Sequence, residues 1–414
     1  MNKIIPNSWE EKKFGEIGKL QGGFAFKSSK FKKKGIPIIR ISNLNNGKVD
    51  LENLVYSDHV DKLNNFLIKK NDILIAMSGA TTGKIGIYQS NRSAYLNQRV
   101  GRFLIQKNEL LNLGFLAKIV QQDFFLKKLL VDAIGGAQPN ISSNQIEDLS
   151  IKIPPLAEQK KIASILNSVD DLIEKTQSQI NKLQDLKKAT MNELLTKGIG
   201  HADFKDSELG RLPKGWEIKK LQDIGFFKNG INKSKENFGF GTHLISISDV
   251  YNINLNYEKL NKVHVSNEEI EEYKLQVGDI IFVRSSVKPD GVGYPLMFKG
   301  FNHPVVFSGF MIRFRFNKNE YDPLYLKYFM EFDEFRIKLM KVATISANTN
   351  INQVALSKLK ISLPKIFEQK NISKTLLHFD NYIQLRRKKL SKIKKLKKSL
   401  IQDLLTGKVR VSVN

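Results

Sequence analysis

Pro154-Pro155-Leu156-Ala157-Glu158-Gln159-Lys160-Lys161-Ile162 opens the stretch on which the fold turns. From Ile162 onward apolar residues keep a heptad. Its a positions are Ile162, Val169, Thr176, Leu183 and Thr190, and its d positions are Leu166, Ile173, Ile180, Lys187 and Leu194. The element begins again 210 residues later, at Pro364 and Glu368-Gln369-Lys370. Its a series is Ile372, Phe379, Arg386, Ile393 and Leu400; its d series is Leu376, Ile383, Leu390, Lys397 and Leu404. A seam of period 3.5 sustained this long specifies a coiled coil, and proline just ahead of a helix sets its start. Two seams in one chain are expected to pair as an antiparallel coiled coil, with homodimerisation through them as the alternative. Each helix, from about Glu158 to Leu195 in the first copy, would be about 57 Å long at ~1.5 Å per residue.

Outward from these helices the whole chain is duplicated. Ile5-Pro6-Asn7-Ser8-Trp9-Glu10 returns as Leu212-Pro213-Lys214-Gly215-Trp216-Glu217, an offset of 207 residues that holds at Asp72/Asp279, Ser78/Ser285 and Gly86/Gly293. By Asn140/Asn350, Pro154/Pro364 and Leu194/Leu404 the offset is 210. Solenoid repeats have periods of about 20–50 residues, so this is a duplicated domain and connector. The plan is a first domain over residues 1–155, a central helix over 156–200, a polar, turn-rich linker over 201–215, a second domain over 208–364 and a C-terminal helix over 365–410. Ile36–Ser42 and His243–Ser248 read as equivalent strands, as do Asp72–Ala76 and Asp279–Val283. Helical spacing follows near Leu113–Leu130 and Pro323–Leu339. The fold class is α+β (mixed α/β), without a regular βαβ alternation.

The chain has 414 residues, room for two substantial domains, and 41% hydrophobic residues, enough for two real cores. No apolar run approaches the ~20 residues that span a membrane, and the N-terminus lacks the apolar segment of a signal peptide. Cysteine is absent, which excludes disulfides and thiolate chemistry and suits the cytoplasm. The net charge of +26, from 67 basic and 41 acidic residues, points to a polyanionic partner, of which nucleic acid is the usual one.

No catalytic centre stands out. Ser78-Gly79-Ala80-Thr81-Thr82-Gly83-Lys84-Ile85 resembles a P-loop, but its glycines are too close and Ile85 stands where a magnesium-binding hydroxyl belongs. The second copy, Ser285-Ser286-Val287-Lys288-Pro289-Asp290-Gly291, lacks the Gly-Lys. Asp322-Pro323-Leu324-Tyr325 is similar to the Asp-Pro-Pro-Tyr of amino-methyltransferases, yet Leu324 replaces a proline, and the segment reads better as a helix start. Histidines 59, 264, 303 and 378 stand alone, without metal-ligand spacing; no metal site is expected.

Binding equipment is plentiful in the loops. Arginine and lysine suit guanine edges and phosphates, asparagine and glutamine suit adenine, and hydroxyls suit phosphates. In the first domain the candidates are Lys27, Lys30, Arg40, Ser78, Thr81, Thr82, Lys84, Gln138 and Asn140. In the second they are Lys233, Lys235, Arg284, Ser285, Lys288, Asn348 and Asn350. Asn140 and Asn350 each precede a helix-like segment, and Asn350 with Gln353 also fits a capping box. The basic run from Arg386 to Lys398 is either a solvated helix face or a contact for phosphates or an acidic partner.

Three elements bring a family into view. Phe204-Lys205-Asp206-Ser207-Glu208-Leu209-Gly210-Arg211-Leu212-Pro213-Lys214-Gly215-Trp216 resembles the entry to a target-recognition domain. The loop from Ser78 to Gly86 and the proline-led run from Pro154 to Ile162 are similar to the same family's. That family is the DNA-specificity subunit of type I restriction-modification systems, and the resemblance covers essentially the whole chain. It implies a non-catalytic subunit with two target-recognition domains and the two helices as spacer. Its partners would be double-stranded DNA, two methyltransferase subunits that hold S-adenosylmethionine and methylate adenine, and a motor-nuclease subunit. The chain itself would bind no cofactor. A rod of ~57 Å or less bounds a bipartite target at roughly 17 base pairs of ~3.4 Å each, with an unread spacer. The differing loops imply different half-sites. A two-headed nucleic-acid-binding scaffold outside restriction-modification is the alternative.

Overall fold

Ile73–Ala76 and Ile280–Val283 are buried at every position, as strands covered on both faces must be, and each is the centre of a sheet. The computed structural model describes residues 8–45, 47–131, 140–250, 255–345 and 348–413. Its contacts divide the chain into two units, Met1–Gln177 with Lys389–Asn414, and Ser178–Lys388.

In the first unit a six-stranded sheet runs in the order Gly18–Gly22, Val100–Ile105, Ile73–Ala76, Ile85–Ile87, Gly47–Val49, Leu44–Asn45. A four-stranded sheet sets Val55–Ser57, Ile36–Ile39, Ala94–Leu96 and Leu67–Ile68 side by side. The helical stretch expected near Leu113–Leu130 is two helices, Leu113–Val120 and Asp123–Val131. Phe14, Phe103, Phe115 and Phe125 share the core beneath them. Glu10–Lys13 pairs antiparallel with Ser150–Ile153 and ties the two ends of the domain together.

The second unit repeats the scheme. Gly225–Asn229, Met311–Phe316, Ile280–Val283 and Pro295–Met297 form one sheet, and Asn261–Val263, Phe238–Ile245 and Val305–Phe307 another. Glu217–Lys220 pairs with Lys360–Leu363 as its counterpart does. Pro323–Glu331 and Asp333–Val342 are again two helices. Asp322 caps the first of them, accepting from the Tyr325 N–H at 2.9 Å, with proline in the first turn. The segment similar to a methyltransferase motif is therefore a helix start, as its sequence reads. The stretch expected to be a linker holds a β-hairpin, Phe204–Ser207 against Gly210–Pro213. Gly210 takes φ +94° there, and the Ser207 hydroxyl closes the turn by donating to the Gly210 carbonyl at 2.6 Å.

The long helices are Leu156–Lys197 and Ile366–Leu404. In the first unit Ile162, Ala163 and Leu166 share a core with Leu404 and Leu405. In the second, Met191 and Leu195 share one with Ile372 and Leu376. The start of each helix packs beside the end of the other, so the pair is antiparallel. The seam faces inward throughout. Ile162, Leu166, Ile180, Ile372, Leu376, Ile383, Leu390 and Ile393 are buried, and Val169, Ile173, Leu183 and Phe379 are partly so. Three of the seam's five polar entries have partners within the fold: Thr176 donates to the Leu172 carbonyl at 2.7 Å, and Lys187 and Lys397 each meet an aspartate.

Candidate nucleic-acid interface

Both central strands run out into loops that hold candidate residues, Ser78 to Lys84 in the first domain and Arg284 to Lys288 in the second, and both do so through the same backbone frame. In the first domain the pairing of Ala76 with Val100 continues one step, the Met77 N–H donating to the Arg99 carbonyl at 2.9 Å. The Met77 carbonyl accepts from the Ile141 N–H at 2.8 Å, and Ser78 bridges Asn140. In the second domain Val283 pairs with Met311, and the Arg284 N–H donates to the Phe310 carbonyl at 2.8 Å. The Arg284 carbonyl accepts from the Ile351 N–H at 2.9 Å, and Ser285 pairs with Asn350. Residues some 60 positions apart in sequence, on the order of ~200 Å of extended chain, thus meet twice in one geometry.

Local chemistry sets each loop. In the first, Gly79 and Gly83 adopt φ +85° and +81°, conformations that favour glycine. A Cβ on Gly83 would lie 2.1 Å from Leu126 Cδ1. The Thr82 hydroxyl donates to the Gly79 carbonyl at 2.6 Å, and that of Thr81 to the Ile41 carbonyl at 3.4 Å. These threonines fold the loop, and Lys84 at its end is exposed. The second loop turns differently: the Lys288 N–H donates to the Ser286 hydroxyl at 3.2 Å, and Lys288 precedes a short 3-10 turn over Pro289–Gly291.

The remaining candidates divide by their surroundings. Lys27, Lys30, Lys235, Lys288, Asn140 and Asn348 are exposed. Arg40 is partly buried, lies 5.9 Å from the Phe31 ring centroid and donates to the Asn53 carbonyl at 3.4 Å, with its Nε unpartnered. Lys233 is held by Glu269 at 2.7 Å, a carboxylate that also accepts from the Ser266 N–H. Gln138 lies outside the described residues. The capping role that Asn350 also fits belongs to Asn352, which caps Gln353–Ser357 and accepts from the Ala355 N–H at 2.8 Å. Likewise Ser142, reciprocally bonded to Gln145, caps Ser143–Glu147. Asn140 and Asn350 are extended residues in strand pairing, so their side chains are not spent on a helix; that of Asn350 donates to the Asn348 carbonyl at 3.0 Å.

Two further residues of this surface, Arg99 and Phe310, were not singled out from sequence. Both are exposed, and the signal that finds them is strand register. Ile73–Ala76 and Ile280–Val283 lie 207 apart, whereas Val100–Ile105 and Met311–Phe316 lie 211 apart.

The Glu-Gln element after the prolines has a structural task. Gln159 is fully buried; it accepts from the Asn112 N–H at 2.8 Å and donates to the Leu110 and Pro154 carbonyls at 2.7 and 2.8 Å. Gln369 accepts from the Asp322 N–H at 2.9 Å and donates to the Pro364 carbonyl at 2.8 Å. Glu158 takes Arg410 Nε and Nη2 at 2.9 and 2.7 Å. Burial pushes its carboxyl up, but Arg410 and the Val411 N–H together hold it below the ordinary range. Glu368 takes the His201 ring at 2.8 Å and the Ile199 N–H at 3.0 Å. Among the described residues no group of three or more histidines and carboxylates could hold a metal ion, and no helix is long and apolar enough to cross a membrane.

The comparisons with known proteins agree with this double construction. A family model described as the type I restriction modification DNA specificity domain matches residues 6–185 and again 213–395. The chain is 29% identical over 427 residues to the putative type I restriction enzyme MjaX specificity subunit of Methanocaldococcus jannaschii, covering 98% of this chain and 95% of that protein. It is 23% identical to the EcoKI specificity subunit of Escherichia coli, over 98% of this chain and 89% of the other. Its fold is similar to a crystal structure of the type I restriction-modification S subunit from M. genitalium, with a TM-score of 0.61 at 17% identity, over 98% and 97% of the two chains. With two domains each matched by the family model, two long helices paired antiparallel and relatives matched from end to end, the chain belongs to the type I restriction-modification DNA specificity family.

Proposed function

We propose that this chain reads a bipartite target in double-stranded DNA, one half-site per domain, and leaves an unread spacer whose length the paired helices set. The observation that carries the reading is the duplicated frame, Ser78 with Asn140 and Ser285 with Asn350, fitted with unequal side chains. One backbone scheme with two sets of loop residues suits two different sequences on one kind of polymer. The polymer is polyanionic, given a net charge of +26.

The chain carries no chemistry of its own in this reading. Two methyltransferase subunits holding S-adenosylmethionine would methylate adenine, and a motor-nuclease subunit would cleave, all in the cytoplasm. The long helices offer docking surface: Leu172 and Leu396 in the first unit, and Leu186, Tyr382 and Leu385 in the second, are large apolar side chains left exposed. The test is single-molecule sequencing of host DNA, scored for N6-methyladenine with and without this gene. A split motif that vanishes on deletion is the expected outcome. A split motif that persists in the deleted strain would end the reading.

A further inference from the structure

The side chains that differ between the two frames sit at one register position. In the first domain Arg99 lies across the strand pair from Met77; in the second Phe310 lies across from Arg284. The equivalence rests on pairing. The strands that start one residue later, Val100–Ile105 and Met311–Phe316, meet Ile73–Ala76 and Ile280–Val283 in the same register. Two residues before Arg99 and Phe310, Asn97 and Ser308 form parallel bridges with Phe24 and Ile231. In an antiparallel pair, residues directly opposite present their side chains on the same face. Each domain therefore ends its central sheet on an arginine opposite a large apolar residue, with the two exchanged between strands; Met77 is half-buried against the first core, whereas Phe310 is exposed.

Nothing in the core accounts for the exposure here. Phe310 leaves 59% of its surface in solvent, and it is not alone. Val287, just beyond the strand Ser285–Ser286, is 82% exposed, and Ile345, which pairs with Thr349 beside Asn350, is 70% exposed. Positive charge adjoins them: Arg284 Nη1 reaches the Gly309 carbonyl at 3.5 Å, and Lys288 is exposed. In the first domain Ala80 stands where Val287 does, and among the described residues no carboxylate pairs with Arg99. Apolar groups exposed together beside unpaired cations mark a contact surface. Duplex DNA is the occupant that suits both halves. Arginine bridges the O6 and N7 acceptors of guanine in the major groove, and an apolar side chain packs on the thymine methyl.

Resting on the reading of the chain as a DNA specificity subunit, we propose that Arg99 in the first domain, and Arg284 with Phe310 in the second, are base-reading residues of the two half-sites. Each arginine takes a guanine edge, and Phe310 packs on a neighbouring thymine methyl. The experiment is methylome sequencing of cells that carry the full chain with its methyltransferase partners. Arg99→Ala should relax discrimination about tenfold at one guanine of one half-site and leave the other half-site intact. Arg284→Ala and Phe310→Ala should do the same only at the other half-site. An even loss of methylation with the motif unchanged would make the arginines phosphate contacts and overturn the assignment. An unchanged motif at full occupancy would overturn it too. Should an alanine variant abolish methylation, Arg99→Lys and Phe310→Leu decide: a base relaxed in one half-site supports the assignment, and an unaltered motif refutes it. A wild-type chain that writes no split motif would instead remove the specificity reading itself.

Discussion

Lys187 and Lys397 look like flaws in the heptad, since both occupy d positions that should be apolar. Each is met by an aspartate of the opposite helix, Lys187 by Asp380 and Lys397 by Asp170, both at 2.6 Å. Each aspartate has a third partner from its own domain: Tyr328 donates to Asp380 at 2.6 Å, and Lys118 to Asp170 at 2.7 Å. All three members of one cluster lie 210 residues from those of the other. A polar group buried in a seam fixes register, because any slipped pairing strands a charge. Burial pushes the Asp380 carboxyl up, but Lys187 and the Tyr328 hydroxyl outweigh it and hold the group below the ordinary carboxylate range. A depressed pKa contributes stability that is present above the unfolded value and is lost as pH falls through the folded one. Asp380→Ala should therefore lower stability at pH 7 by about 2 kcal/mol, less than the ~3–5 kcal/mol of a fully buried pair because this one is partly solvated. It should also flatten the fall in melting temperature below about pH 5. Melting curves of wild type and variant at pH 7 and pH 4 check both; equal pH dependence would mean that Asp380 is not held ionised by the cluster.

The long helices were legible because a heptad is a local pattern, repeated until little else fits it. The central strands were legible for a similar reason, as Ile73–Ala76 and Ile280–Val283 are apolar at every position. What escaped depends on contacts distant in sequence. The Ser78–Asn140 and Ser285–Asn350 pairings hold residues named as candidates, yet no spacing rule shows that they meet. Arg99 and Phe310 were hidden because chain inserted in the second copy moves the offset from 207 to 211 between the two paired strands. The capping alternative at Asn350 falls two residues too early; Asn352 has the same side chain and the extended backbone ahead of the helix. Lys233 reads as a phosphate ligand until Glu269 is seen beside it. The Glu-Gln element carries the family resemblance in the sequence, but not its task. Gln159 saturates three backbone groups where the first long helix leaves its domain, two of them at the turn before the helix Leu113–Val120. Gln159→Ala should orphan these buried groups and cost about 1–3 kcal/mol, read as a lower denaturation midpoint at unchanged m-value. A variant as stable as wild type would show that water replaces the amide.

At the scale of the molecule, the surplus of 67 basic over 41 acidic residues has to be divided between fold and function. Part of it is consumed internally. Lys187, Lys397, Lys118, Lys233 and Arg410 all sit on carboxylates, and Arg315 is locked on the buried Asp279. Those contacts take an acid for each base, apart from Lys118 and Lys397, which share Asp170, so they leave most of the net charge of +26 standing. Exposed lysines at 27, 30, 84, 235 and 288 and along Lys388–Lys398 carry part of it. Exposed cations that neutralise phosphates release condensed counterions, so affinity for a duplex should fall with a log–log slope near −0.9 per phosphate contact. With on the order of 6–10 such contacts, binding of the assembled complex to a target duplex should weaken roughly 10³–10⁵-fold between about 50 and 200 mM salt. Reversing Lys84 and Lys288 to glutamate should lower that slope, by about one for each phosphate contact removed, without altering the motif. A slope near zero in the wild type would place the basic surface away from DNA and leave the charge as a property of solubility alone.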